Sequence, residues 1–201
     1  MNLKNILSGL EGLKVKGDLD IDISNISSDS REIKENGLFV AVKGFDVDGH
    51  DYIASAIENG ATAVIASPEI DKKILKQIID KVTIIIAKDT RYALAICSCN
   101  FYGNPSRKFK LVGITGTKGK TTTSFMVKSI LEKAGKKVGL VGTIATYIGD
   151  KKLEDSDRTT PESTKLQEIF AKMVKAKCEV VVMEVSSQSL KLNRVAGWIL
   201  I

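Results

Sequence analysis

The stretch ITGTKGKTTT, residues 114–123, does most to constrain what this chain can fold into. It follows an apolar run, KLVGIT (110–115), and opens a segment, 120–134, whose apolar residues recur at helical spacing. A Gly- and Thr-rich loop between a strand and a helix turns backbone N–H groups toward the helix N-terminus, where positive potential favours an anion. Lys120 reaches the terminal phosphates of a nucleotide from there, and the Thr121 hydroxyl offers an oxygen to Mg2+. The strict spacing G-x-x-x-x-G-K-[ST] requires glycine at 114, where this chain has Ile114, so the loop is a variant, GTKGKT. The candidate phosphate-binding residues are Gly116, Thr117, Lys118, Gly119, Lys120, Thr121 and Thr122. A strand-to-helix turn without a ligand is the alternative, and turn chemistry alone does not call for Gly-Lys-Thr at a helix start.

A second polar feature interrupts an apolar run. EVVVMEV (179–185) reads as a strand, and Glu184 stands near its carboxyl end, just before Ser186 and Ser187. A carboxylate there, beside a phosphate loop, holds a Mg2+ that bridges nucleotide oxygens, if the two strands are sheet neighbours. A solvated strand terminus is the plainer reading.

The rest of the chain alternates apolar strands with amphipathic helices. LFVAV (38–42), AVIA (63–66) and VTIIIA (82–87) read as strands, with helices over 51–60, 70–80 and 89–101. Gly103, Asn104 and Pro105 then break the pattern. The expected division is 1–105 and 106–201. Beyond it come the loop, a strand at 137–143, and a helix over 162–176 with Thr160 as N-cap and Pro161 at its first position. Repeated strand-helix-strand units with continuous Val/Ile/Leu runs imply an α/β fold with mostly parallel sheets covered on both faces.

Charge separates the halves. Residues 1–105 hold 12 Lys+Arg and 15 Asp+Glu, whereas 106–201 hold 18 and 9. The basic half suits a polyanion, either nucleotide phosphate or nucleic acid. Aromatic content of 5% argues against a base-stacking platform. Cys97, Cys99 and Cys178 lack metal-site spacing and are expected as buried thiols, and the single His50 leaves no His-rich metal centre and reads as a loop residue. No run approaches the ~20 apolar residues of a membrane span. The start MNLKNILSGLEGL lacks a signal-peptide core, so a cytoplasmic location with no membrane partner is expected.

SDSR (28–31), GLFVAVKGFDVDGHDYI (37–53), FYGNPS (101–106), GITGTKGKTTT (113–123), GLVGT (139–143), TTP (159–161) and MEVSSQSLKLNR (183–194) together resemble the Mur ligases of peptidoglycan synthesis. They fall in family order across nearly the whole chain. GTKGKT alone indicates only the wider group that includes folylpolyglutamate synthetase. SDSR with TTP and MEVSS resembles the MurE branch, which adds the third residue of the stem peptide.

The resemblance implies a small N-terminal α/β domain that binds UDP-MurNAc, followed by the first part of a P-loop-type, parallel-sheet ATPase domain. It implies an ATP-dependent amide-bond ligase that phosphorylates the D-Glu carboxyl of UDP-MurNAc-L-Ala-D-Glu and joins a diamino acid, lysine or diaminopimelate, to it. Lys120 and Glu184 are then the candidate catalytic residues, with Thr121 and Glu184 on Mg2+. Ser28, Ser30, Phe45, Asp46 and Val47 are candidate contacts for the uridine diphosphate part. Arg158, Thr159, Thr160, Ser186 and Arg194 are candidates for the muramoyl dipeptide. The family usually has Asn at Lys118, His at Gln188 and Gln at Leu192; Leu192 removes a polar contact. Family members are more than twice this length, and the tail AGWILI (196–201) departs from their continuation. This chain is therefore expected not to ligate alone. Two other readings stay open: a non-catalytic UDP-sugar-binding module, and a P-loop GTPase or nucleic-acid ATPase, the latter favoured only by the basic half. Oligomeric state is not legible.

Overall fold

The structure, a computed structural model, describes residues 1–197. The tail residues Trp198 to Ile201, on which the sequence raised an expectation, lie outside the described residues. Two compact units follow one another, Met1–Phe101 and Tyr102 onward. Phe101 still packs on the first unit's core, and the left-handed Asn104 opens the second with a short 3-10 turn over Pro105–Arg107.

The first unit runs α1 (Leu3–Ile6), β1 (Lys14–Lys16), β2 (Asn25–Ser27), β3 (Gly37–Val40), α2 (Ile53–Glu58), β4 (Ala61–Ala66), α3 (Lys72–Ile78), β5 (Thr83–Ile86) and α4 (Thr90–Phe101). Its sheet has the order β1-β5-β4-β3-β2, parallel throughout except for β1. The strands read as unbroken apolar runs because both faces are covered. Leu38, Val40, Ala63, Ile65 and Ile85 pack with α1 and α4, while Phe39, Val64, Ala66 and Ile84 pack with α2 and α3. Sequence periodicity misses β1 and β2. Each has three residues, and those of β1 are all exposed, so no apolar alternation marks it. The helix expected over 51–60 begins at Ile53, because Asp48 caps a 3-10 turn over Gly49–Tyr52. The one expected over 70–80 begins at Lys72, where the Asp71 side chain accepts from Lys73 N at 2.6 Å.

The second unit runs β6 (Lys110–Ile114), α5 (Lys120–Lys133), β7 (Val138–Val141), β8 (Ala145–Ile148), β9 (Lys151–Asp155), α6 (Ser163–Lys175), β10 (Val180–Glu184) and α7 (Ser187–Lys191). The order is β6-β10-β7-β8-β9. Only the two pairings of β10 are parallel; β7-β8 and β8-β9 are antiparallel. The expectation of a mostly parallel sheet therefore holds for the first unit and is corrected here. β8 and β9 form a hairpin through Gly149 and Asp150, a glycine-acid turn of the kind that joins antiparallel strands. The charge of KKLED hides β9 from an apolar-run search.

On one face of this sheet, Val181 and Met183 meet Leu166, Ile169, Phe170 and Met173 of α6, spaced as an amphipathic helix requires. Phe109 sets its ring edge against Phe170 with centroids 5.3 Å apart. On the other, Val138, Leu140 and Val182 meet half-buried Phe125, Val127 and Leu131 of α5. The helix placed at 162–176 begins at Ser163, and its N-cap is Glu162 rather than Thr160. Thr160 is buried and its hydroxyl is engaged in tertiary hydrogen bonds with Glu184 O and Ser186 N, while Glu162 is extended.

All three cysteines are buried thiols, and desolvation pushes Cys97 up to about 12, so it is no nucleophile at neutral pH. Among the described residues no helix is long and apolar enough to cross a membrane.

Candidate functional site

Ile114 ends β6, and Lys120 begins α5. Between them Thr115 to Gly119 are exposed, which leaves the loop's backbone open to a phosphate. Gly119 caps α5 with φ 78°, a left-handed conformation that costs glycine little. The Lys120 ammonium folds back to donate to Gly116 O at 2.8 Å, over the loop it is expected to serve. Lys118 and Thr122 are exposed beside it.

Parallel pairing of β10 with β6 sets Glu184 opposite Ile114, at the carboxyl end of the sheet and next to the loop. Glu184 is 1% exposed, which rejects the solvated-terminus reading. Its Oε2 accepts from Thr121 Oγ1 at 2.9 Å, and its Oε1 from Thr143 N at 3.0 Å. Thr143 Oγ1 lies 3.0 Å from Oε2 and 3.1 Å from Thr159 Oγ1. A Cβ at Gly142 would overlap Glu184 Oε1, so glycine there makes room for the carboxylate. The resulting donor set, one carboxylate and two hydroxyls, is of the hard-oxygen kind that suits Mg2+. No cluster of three or more His, Cys, Asp or Glu side chains that could hold a metal occurs among the described residues. A Mg2+ here would complete its shell with water and phosphate oxygens, as this ion prefers.

The same strand end anchors the other candidates. Thr160 Oγ1 donates to Glu184 O at 2.9 Å and accepts from Ser186 N at 3.1 Å. Ser186 in turn caps α7, its hydroxyl accepting from Ser189 N at 3.1 Å. Arg194 is buried, donates from Nη1 to Thr160 O at 3.2 Å, and pairs through Nη2 with Glu162 Oε1 at 2.6 Å. Arg194 is therefore held inside the unit rather than free at its surface. Arg158 donates to the same Glu162 Oε1 at 3.0 Å and to Asp157 at 3.1 Å. Gln188 is exposed on α7 and Leu192 is half-buried after it. Thr143 and Glu162 escaped the sequence reading; their signals were the last residue of GLVGT and the acid after TTP.

In the first unit the candidates follow the carboxyl ends of the neighbouring parallel strands β2 and β3. Ser30 is buried in a 3-10 turn capped by Asp29, with its carbonyl accepting from Asn59 Nδ2 at 2.9 Å; Ser28 is half-buried. The Arg31 guanidinium on Asp29 holds that carboxyl below the usual range. Phe45, Asp46 and Val47 form the exposed tip of a tight loop, closed by Gly44 N donating to Val47 O at 2.8 Å and by pairing of Lys43 with Asp48. His50 is a structural tie. Its Nε2 accepts from Ser67 N at 3.0 Å, so the proton sits on Nδ1, 2.6 Å from Asp48 Oδ1. The backbone N–H of His50, with the ring, holds the Asp48 carboxyl below its usual value.

Comparison with known proteins gives these arrangements a family. The chain is 51% identical over 197 residues to UDP-N-acetylmuramoyl-L-alanyl-D-glutamate--2,6-diaminopimelate ligase of Clostridium perfringens, covering 98% of this chain and 39% of that one. It is 52% identical over 198 residues to the enzyme of the same name from Clostridium botulinum, covering 98% and 40%. The chain thus spans about 39% of the length of the curated relatives it matches. A solved structure of a ligase with that name superposes with TM-score 0.78 at 19% identity over 98% of this chain and 38% of that one, which supports the fold. MurF ligase from Thermotoga maritima, solved in complex with ADP, gives TM-score 0.50 at 27% identity over 81% of this chain and 32% of that one. Residues 22–102 match the model for the Mur ligase family catalytic domain, and 114–200 match that for the Mur ligase middle domain. With two models of one family matched in order, and the GTKGKT loop and Glu184 side by side within the second, the chain belongs to the Mur ligase family.

Proposed function

We propose that this chain supplies the UDP-MurNAc and ATP sites for the addition of a diamino acid, diaminopimelate or lysine, to UDP-MurNAc-L-Ala-D-Glu in peptidoglycan synthesis. The observation that carries the reading is the buried Glu184 carboxylate, joined to Thr121 of the phosphate loop and to Thr143. Its chemistry is phosphoryl transfer followed by acyl transfer. A carboxylate oxygen of the D-Glu attacks the γ-phosphorus of ATP and ADP leaves; the incoming amine then attacks the acyl carbon and phosphate leaves.

Positioning and charge neutralisation do most of the work in such a reaction. The exposed loop Gly116 to Gly119 and the α5 N-terminus cradle phosphates, and Lys120 swings from Gly116 O to the transferred group. Thr121 and Glu184 are the residues that would hold Mg2+, which when bound offsets the charge on the phosphate oxygens. In the first unit, Ser28, Ser30 and the loop Phe45 to Val47 take the uridine diphosphate. In the second, Arg158, Thr159, Thr160, Ser186 and Arg194 take the dipeptide. The name of the clostridial relatives and the ADP in the Thermotoga relative support these assignments. The reading assigns the basic charge of the second half to nucleotide phosphate, with no nucleic-acid or membrane partner, and draws the soluble nucleotide substrates from the cytoplasm.

This chain alone is proposed to bind without ligating, since it spans about 39% of its relatives. Calorimetric titration of UDP-MurNAc-L-Ala-D-Glu and of Mg-ATP into the chain tests the proposal, with Ser30→Ala and Lys120→Ala as controls. Binding of both, each weakened by its own variant, supports it. Preference for GTP or nucleic acid sinks it.

A further inference from the structure

Arg158 and Arg194 are 36 positions apart in sequence, and one oxygen joins them. Glu162 Oε1 accepts from Arg158 Nη1 at 3.0 Å and from Arg194 Nη2 at 2.6 Å. Arg194 is 9% exposed, and its other hydrogen bond among the described residues runs from Nη1 to Thr160 O at 3.2 Å. Its Nε is buried and has no hydrogen-bond partner among the described residues. A buried guanidinium with an unused N–H is a costly arrangement unless something accepts from it. Through Thr160, whose hydroxyl donates to Glu184 O, this pair of arginines is tied to the strand end that carries the phosphate site.

We propose that Glu162 is a positioning residue: it seats Arg158 and Arg194 side by side so that the unused Nε of Arg194 and the half-exposed Arg158 receive a carboxylate of the bound peptide. The inference rests on the reading of this unit as a peptide-carboxylate site. Glu162 does not touch the reacting atoms; it acts through the arginines. Without its charge the buried Arg194 keeps only a neutral carbonyl, which does not compensate its desolvation, and the guanidinium turns out toward water. A guanidinium held in place loses less freedom on binding than a free one, so affinity falls when the holder is removed.

The test titrates two ligands, UDP-MurNAc-L-Ala-D-Glu and UDP-MurNAc, into the wild-type chain, Glu162→Gln and Glu162→Asp, with circular dichroism as the check on folding. Glu162→Gln is expected to weaken the dipeptide ligand by about tenfold or more and to leave UDP-MurNAc within about twofold. Glu162→Asp, which keeps the charge, is expected to restore part of the loss, and is the variant to read if Glu162→Gln does not fold. An equal loss for both ligands marks a merely structural ion pair and overturns the inference, as does unchanged or tighter binding of the dipeptide ligand. A folded wild-type chain that binds neither ligand overturns the functional reading, and the inference with it.

Discussion

The two units shape their polar ends by opposite means. In the first, Asp29 and Asp48 each cap a turn two residues on, at Arg31 and His50, so these loops are largely built from neighbours in sequence. In the second, Glu184 gathers Thr121 from 63 residues away, Thr143 from 41 and Thr160 from 24. Local capping makes a loop whose shape survives loss of a distant partner. A convergent carboxylate makes a site that exists only when the whole sheet is in register. The cores differ in the same sense: the first sheet is packed by a large apolar cluster on each face, the second chiefly by α6 on one.

The largest expected effect tests whether the units stand apart energetically. Phe170→Ala empties the centre of the α6 face and is expected to cost about 3–5 kcal/mol. Native-state hydrogen exchange should show lost protection in β6, β7 and β10 with β3 to β5 still protected; equal loss in both sheets breaks the comparison. Next comes the convergent site. Glu184→Gln is expected to weaken Mg-ATP binding by about 10- to 100-fold, the range for hydrogen bonds to charged groups. A double-mutant cycle of Glu184→Gln with Thr121→Ala should show coupling of at least about 0.5 kcal/mol. The same cycle on Asp29→Ala and Asp48→Ala should be additive, and coupling there would undo the contrast.

His50→Ala is a smaller perturbation that probes the long tie in the locally built loops. It leaves Ser67 N without its acceptor, and the expected loss is about 1–3 kcal/mol by urea denaturation, with UDP-MurNAc binding kept within about twofold because the loop is capped locally; a larger loss of binding breaks the contrast. The smallest effect concerns acid. Asp29 and Asp48 both have carboxyls held below their ordinary value in the folded chain, so each stabilises fully above the unfolded value of about 4 and loses that contribution as pH falls further. Thermal unfolding from pH 6 to pH 3 should therefore show the first unit weakening below about pH 4, and Asp29→Asn with Asp48→Asn should flatten that part of the profile.

How much of this was legible in the sequence follows from how far each interaction reaches. The strands β3, β4, β5, β6, β7 and β10 announce themselves as apolar runs, and GTKGKT announces its helix, because propensity and periodicity act over a few residues. Strand β9 has no apolar run to show, and β1 has no buried face. Thr160 looked like an N-cap because serine, threonine and aspartate commonly are; the structure uses its hydroxyl between Glu184 and Ser186 instead, and tertiary hydrogen bonds outweigh a cap of about 1 kcal/mol.

The sequence by itself determined that this is an α/β chain with a Gly- and Thr-rich strand-to-helix loop, two units of opposite charge, and motifs of the Mur ligase family in order. Those properties reside in local pattern. Only the tertiary structure decided that β10 lies between β6 and β7, that Glu184 is buried against Thr121 and Thr143, and that one oxygen of Glu162 joins two arginines. Strand order and side-chain convergence depend on contacts across tens of residues, and such contacts become favourable only once hydrophobic burial has offset the entropy of closing the loops between them.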